Sequence, residues 1–155
     1  MSDSRAGDDP VDAKLLMGSC LCGGVRYRAE GPLTLVTRCH CLQCRKQSGA
    51  EFATNASLEN DRFELLEGEA LLRDFESSPG EKRIFCGQCG SSILKRSAAS
   101  PDFVRLRLGC LDSDFDQKIQ IRIFTESRLA ISEFSDDIPS FETLPGAASS
   151  DPKSD

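Results

Sequence analysis

A mostly β chain folded as a single domain is what this sequence predicts, and three observations predict it. Apolar and polar residues alternate with a period of two over several segments. No long stretch repeats with the 3.6-residue period of a helix. Turn-forming residues fall between the alternating segments. A length of 155 residues suits one domain around one core.

Taken in order, residues 1–13 include Ser, Asp, Gly and Pro with almost nothing to bury, and are expected to form a disordered tail. They are polar and acidic and carry no apolar run of a secretory signal. The folded part is expected over residues 14–145, and residues 146–155 repeat the tail composition. Val25, Tyr27 and Ala29 alternate with Arg26 and Arg28, Val104, Leu106 and Leu108 with Arg105 and Arg107, and Ile119, Ile121 and Ile123 with Gln120 and Arg122. Each reads as a half-buried antiparallel strand. Weaker strand signals cover residues 33–37, 51–56, 62–66, 70–75, 82–85 and 93–95. Turns are expected at Gly23-Gly24, Glu59-Asn60-Asp61, Gly68 and Ser78-Pro79-Gly80. Asp136-Asp137, before Pro139, reads as a solvated charge pair.

The chemistry lies in eight cysteines. Cys39, Cys41 and Cys44 fall within six residues. Residues two apart in an extended segment face one side, so Cys39 and Cys41 aim together while His40 points away. A turn through Leu42 and Gln43 brings Cys44 to the same point. Three converging thiols suit zinc, and three protein ligands leave a fourth position open, as in catalytic sites. Arg38, Arg45 and Lys46 flank this cluster. Nearby cations favour the thiolate and could hold the carboxylates of an acidic ligand. Arg107 counts as a charge distant from it.

Cys20-Leu21-Cys22 precedes Gly23-Gly24, and Cys86-Gly87-Gln88-Cys89 precedes Gly90. A tight loop around a metal needs glycines that tolerate positive φ and let amides approach sulfur. Such a knuckle supplies two ligands, and Cys20 with Cys22 is the natural complement to Cys86 with Cys89. The alternative pairing, with the Cys39–Cys44 cluster closing onto Cys86 or Cys89, is possible from sequence alone. A redox role for Cys86 and Cys89 would want a strand–helix context, whereas the residues that follow read as a strand. Cys110 stands alone and reads as a small buried side chain. His40 is the only histidine; a ligand or acid–base role is the alternative to its pointing away.

The formal net charge of −6 argues against a nucleic-acid or membrane-surface partner, either of which favours a basic face. No apolar run has the length of a membrane span. The expected compartment is the reducing cytoplasm, where clustered cysteines read as metal or catalytic rather than as disulfides.

Together the motifs resemble those of the glutathione-dependent formaldehyde-activating enzyme family. They are Gly18-Ser19-Cys20-Leu21-Cys22-Gly23, Cys39-His40-Cys41-Leu42-Gln43-Cys44-Arg45 and Phe85-Cys86-Gly87-Gln88-Cys89-Gly90. Gly109 with Leu111-Asp112, and the Asp136-to-Phe141 ending, fit as well. Arg122-Ile123 stands where many relatives carry His-Ile, and the chain has no tryptophan. The resemblance implies a zinc-binding β-tent fold with two zinc ions per chain. It implies a structural site of Cys20, Cys22, Cys86 and Cys89, and a catalytic one of Cys39, Cys41 and Cys44. The activity it implies is a carbon–sulfur lyase reaction, the reversible formation of S-(hydroxymethyl)glutathione from glutathione and formaldehyde. Arg38, Arg45 and Lys46 would hold the carboxylates of glutathione or a related acidic thiol, with a small aldehyde as co-substrate. The alternatives are the same chemistry on another thiol or aldehyde, and a non-catalytic zinc-bearing interaction module.

Overall fold

The structure, a computed structural model, describes residues 14–146. Both expected tails, apart from Gly146, lie outside the described residues. The mostly β expectation holds, with two sheets and one short helix among the described residues. The smaller sheet has the order β1 (Leu15–Ser19), β2 (Arg26–Glu30), β5 (Phe63–Glu67). The larger runs β10 (Ile121–Ile123), β3 (Thr34–Cys39), β4 (Ala53–Glu59), β9 (Phe103–Arg107), β8 (Ser92–Ser97), β7 (Glu81–Cys86), β6 (Leu72–Ser78). No helix among these residues is long and apolar enough to cross a membrane.

The main core gathers the apolar faces of both sheets. Leu16, Tyr27 and Ala29 from the smaller sheet join Val36, Ala56, Leu58, Leu94, Val104 and Leu106 from the larger. Tyr27 stacks on Phe63 with ring centroids 5.2 Å apart. It also explains Gly18, which pairs with it across β1 and β2: a Cβ there would lie 2.1 Å from the tyrosine ring. Alternation sends the other face of β9, Arg105 and Arg107, to the opposite side of the sheet. That side is not open solvent, since Arg107 is 7 % exposed.

Three expectations need correction. The segment around Ile119 to Ile123 is not an antiparallel strand: only Ile121–Ile123 pairs, and it runs parallel to β3. Just before it, Gln120 accepts from the Val36 amide through its side chain and donates its own amide to the Val36 carbonyl. Alternation reports which face is buried but not strand direction, which the preceding connection sets. Strand β1 carries no strand signal in sequence, since Leu-Leu-Met-Gly-Ser has no clean polar alternation. Leu108 leaves the β9 ladder and opens a short helical turn to Cys110.

The third correction is Asp136, which is more than a solvated charge. Its carboxylate takes two hydrogen bonds from the buried Arg122 guanidinium, at 2.6 and 2.5 Å. That guanidinium sits 4.3 Å over the Phe134 ring and also donates to the Ile138 carbonyl. The arrangement straps the C-terminal segment to β10, where Phe141 N–H donates to Arg122 O. Hydrogen bonds from Arg122 and then from the Ile138 amide hold the Asp136 carboxyl below its ordinary value. A depressed carboxylate stabilises the fold above its unfolded-state pKa, and that stability fades as pH falls through the folded value. Asp136→Asn is therefore expected to melt earlier than wild type at neutral pH. The gap should narrow on acidification over the range in which the fold persists. A gap of constant size in parallel melts would show that the carboxylate charge is not what holds the strap.

Candidate metal centre and active site

The first cluster joins distant parts of the chain. Cys20 and Cys22 sit in the loop after β1, Cys86 ends β7, and Cys89 lies in the turn into β8. Their four sulfurs lie within 4.8 Å of one another. The Cys20–Cys22 and Cys22–Cys86 separations are 3.4 and 3.9 Å. A tetrahedral zinc with Zn–S of about 2.3 Å has sulfurs roughly 3.8 Å apart, so these residues fit such an ion. A disulfide would need sulfurs about 2.05 Å apart, and all eight cysteines are free. The backbone serves the sulfurs as the knuckle reading requires: the Val25 amide donates to Cys20 Sγ at 3.2 Å. Gly90 turns the chain at φ 79°, a left-handed conformation that favours glycine. Hydrogen bonding from Ser91 holds the Cys89 thiol down at about 5.

The second cluster is local. Cys39 ends β3, Cys41 caps the helix α1 (Leu42–Ser48), and Cys44 lies in its first turn. The Cys44 amide donates to Cys41 Sγ at 3.3 Å, so a prospective ligand atom is also the helix cap. At two turns, α1 is too short to show helical periodicity in sequence. It closes at Gly49, whose amide donates to Arg45 O at 2.8 Å. The three sulfurs lie within 4.8 Å of one another, with Cys39 and Cys44 buried. Three thiols this close share protons: hydrogen bonds from Cys39 and Cys41, with Arg107 adding its charge, push Cys44 strongly down, and Cys39 rises in turn. The cluster faces a cavity of about 370 Å³.

The cations lining that cavity are Arg83, Lys95, Arg105 and Arg107, and Glu81, which also lines it, pairs with Lys95. Both Arg83 and Arg107 place Nη1 at 3.8 Å from Cys44 Sγ. Arg107 is thus not distant from the cluster but among the nearest charges to it. Arg38, Arg45 and Lys46 do not line this cavity. Arg38 follows β3 alternation onto the other face, 5.0 Å over the Phe52 ring. Arg45 and Lys46 lie on the α1 side that lines a separate groove with Glu51, Leu129 and Ile131. Being next in sequence to a helical cysteine puts a side chain around the helix, not beside the sulfur.

His40 turns away from the thiols into a pocket between Phe52 and Phe134, each ring centroid 5.3 Å from its own. Burial, then the Arg122 charge, lowers its pKa. Cys110 belongs to neither cluster; its thiol donates to the Ser92 carbonyl. Sequence reasoning missed Arg83, Lys95, Arg105, Gln43 and Gln47. The available signal was the arginine-rich polar face of β9, but alternation does not say what such a face meets.

Fold and clusters define a class: a β protein with one four-cysteine and one three-cysteine cluster, each able to hold a metal ion, the second opening on a cationic cavity. Residues 15–127 match the family described as glutathione-dependent formaldehyde-activating enzyme, and the chain belongs to that family. A Halomonas elongata protein, named provisionally as a glutathione-dependent formaldehyde-activating enzyme, is 36% identical over 107 residues, 64% of this chain and 68% of its own length. A crystal structure of a Rhodobacter sphaeroides protein shares the fold, with a TM-score of 0.56 at 22% identity over 64% of this chain and 90% of that one.

Proposed function

We propose that this chain binds two zinc ions and catalyses the reversible addition of glutathione to formaldehyde, giving S-(hydroxymethyl)glutathione. The observation carrying this reading is a three-thiol cluster that opens on a cavity lined by four cations. Cys39, Cys41 and Cys44 would hold the catalytic zinc, and Cys20, Cys22, Cys86 and Cys89 a structural one. A zinc held by three protein ligands supplies Lewis acidity, which keeps a thiol ionised at neutral pH or polarises a carbonyl.

The chain's own residues do the rest. Arg105 donates only to the neutral oxygens of Thr37 and Ser57 and has charge to spare for a carboxylate. Lys95 shares Glu81 with Ser97, and faces Arg105 across β8 and β9. These two would hold glutathione's carboxylates and set its sulfur toward the cluster. The sulfur lone pair then forms the carbon–sulfur bond while the carbonyl π pair moves to oxygen. That oxygen takes the proton that the thiol released. The reverse breaks the same bond. The reading places the reaction in the cytoplasm.

Because the uncatalysed addition also proceeds, the test is an exchange rate. Protein purified without chelator should carry two zinc ions per chain by elemental analysis. NMR exchange spectroscopy should then show faster interconversion of free formaldehyde and its glutathione adduct than in buffer. Chelator should strip the three-ligand site first and remove the acceleration. With both sites verified full, an exchange rate equal to that in buffer would reject the reading.

A further inference from the structure

Two buried arginines meet at the three-thiol cluster with no carboxylate in ion-pair contact; Glu81, which lines the same cavity, pairs with Lys95 instead. Arg83 and Arg107 are 4 % and 7 % exposed. Among the described residues, neither lies within ion-pair distance of an acidic side chain; the ion pairs present involve other residues. Neutral amides hold them instead. Gln47 Oε1 accepts from both, at 3.0 Å from Arg83 and 2.8 Å from Arg107. Gln43 Oε1, one helical turn earlier, accepts from Arg83 at 2.9 Å. Ser77 takes the Arg83 Nε–H at 2.8 Å, and Asn55 Oδ1 accepts from Arg107. Arg83 also lies directly across β7 and β8 from Lys95, which lies across from Arg105. Like charges opposite one another in a sheet destabilise it, and buried charges need partners.

The charge missing from this arrangement is negative, and it is missing at the sulfurs. A divalent ion held by three thiolates has one net negative charge. A thiolate entering as fourth ligand adds a second, which two adjacent guanidiniums would neutralise. A neutral fourth ligand would leave one of these two guanidiniums uncompensated in a buried site. The four-cysteine cluster is the contrast: the described hydrogen bonds to its sulfurs come from a backbone amide, a serine hydroxyl and its own thiols, with no guanidinium among them.

We propose that Arg83 and Arg107, clamped side by side by Gln43 and Gln47, are specificity-determining residues that make the open position of the three-thiol centre select an anionic sulfur ligand over a neutral one. The arginines set the charge, and the glutamines are positioning residues that point both guanidiniums at Cys44. The proposal rests on the reading that this cluster holds a metal with an open position. It does not depend on glutathione being the thiol.

The test uses holoprotein with cobalt(II) in the three-thiol site, whose visible spectrum reports the fourth ligand. Two small probes are titrated at fixed pH: 2-mercaptoethanol, which ligates as a thiolate, and imidazole, which ligates neutral. Wild type is expected to bind the thiolate. Arg107→Gln and Arg83→Gln are each expected to weaken it about ten-fold or more while imidazole binding stays level or tightens. Gln47→Glu keeps the accepting oxygen but adds a negative charge, so it should weaken the thiolate and spare imidazole, which a merely structural role would not do. It also serves if either arginine variant fails to fold. Equal losses for both probes, or no loss for the thiolate, overturn the proposal. If neither probe alters the wild-type spectrum with cobalt verified, the open-position reading falls and takes the proposal with it. Arginine-dependent thiolate binding without glutathione turnover leaves the proposal standing and rejects the glutathione reading alone.

Discussion

Cys89→Ser is expected to abolish the folded state. The four-cysteine cluster to which it belongs ties the loop after β1 to the β7–β8 turn, two places 64 or more residues apart. No other covalent or disulfide link spans them, since every cysteine is free. Structural zinc in small domains contributes about 10–16 kcal/mol of apparent folding free energy. A domain's whole stability is about 5–15 kcal/mol. Even partial loss of that term removes most of the margin. Circular dichroism should show a chain without a cooperative melt, or one that does not stay in solution. A variant melting within a few degrees of wild type would mean that this cluster does not hold the fold together.

Cys44→Ser is expected to do the opposite: keep the fold and lose the chemistry. Cys44 sits on the short helix α1 in a satellite cluster with Cys39, Ala53 and Ile123, apart from the main core. Arg83 and Arg107 keep their bonds to Gln47 when the sulfur is gone, so a drop of only a few degrees in melting temperature is expected. Losing a residue that merely supports a ligand typically costs about 10–100-fold in metal affinity. Losing a ligand should cost more, and the accelerated formaldehyde–glutathione exchange should disappear with the metal. Chelator competition and the exchange assay, run beside the Cys89→Ser melt, assign the two roles. Should Cys44→Ser unfold the chain while Cys89→Ser leaves it intact, the roles of the two clusters are reversed.

The two expectations differ because the clusters differ in span. A site that closes a long loop supplies order the chain lacks, whereas one built from six consecutive residues inherits its shape from β3 and α1. On the proposed reading, the second site would therefore leave one position for a ligand without endangering the fold.

The β class was legible in the sequence because sheet burial has a period of two, and the same rule turned His40 away from Cys39 and Cys41. Local cysteine spacing brought three thiols together, since sequence neighbours on a strand end and a first helical turn are also neighbours in space. The parallel direction of β10 was not legible, because alternation is the same whichever way a strand runs. Nor were the charges that serve the thiols. Arg38, Arg45 and Lys46 are close along the chain, yet strand and helix geometry turn them to other surfaces. Arg83, Arg105 and Arg107 lie far along the chain, on β7 and β9; the sequence marks Arg105 and Arg107 only as the polar alternates of apolar residues, and Arg83 only as part of a weak strand signal. Long-range register stacks those strands beside β4 and α1, and that pairing converts a polar strand face into the wall of a cationic cavity. Spacing along a chain decides which atoms can meet within a few residues; which strands lie side by side decides what electrostatic field those atoms meet.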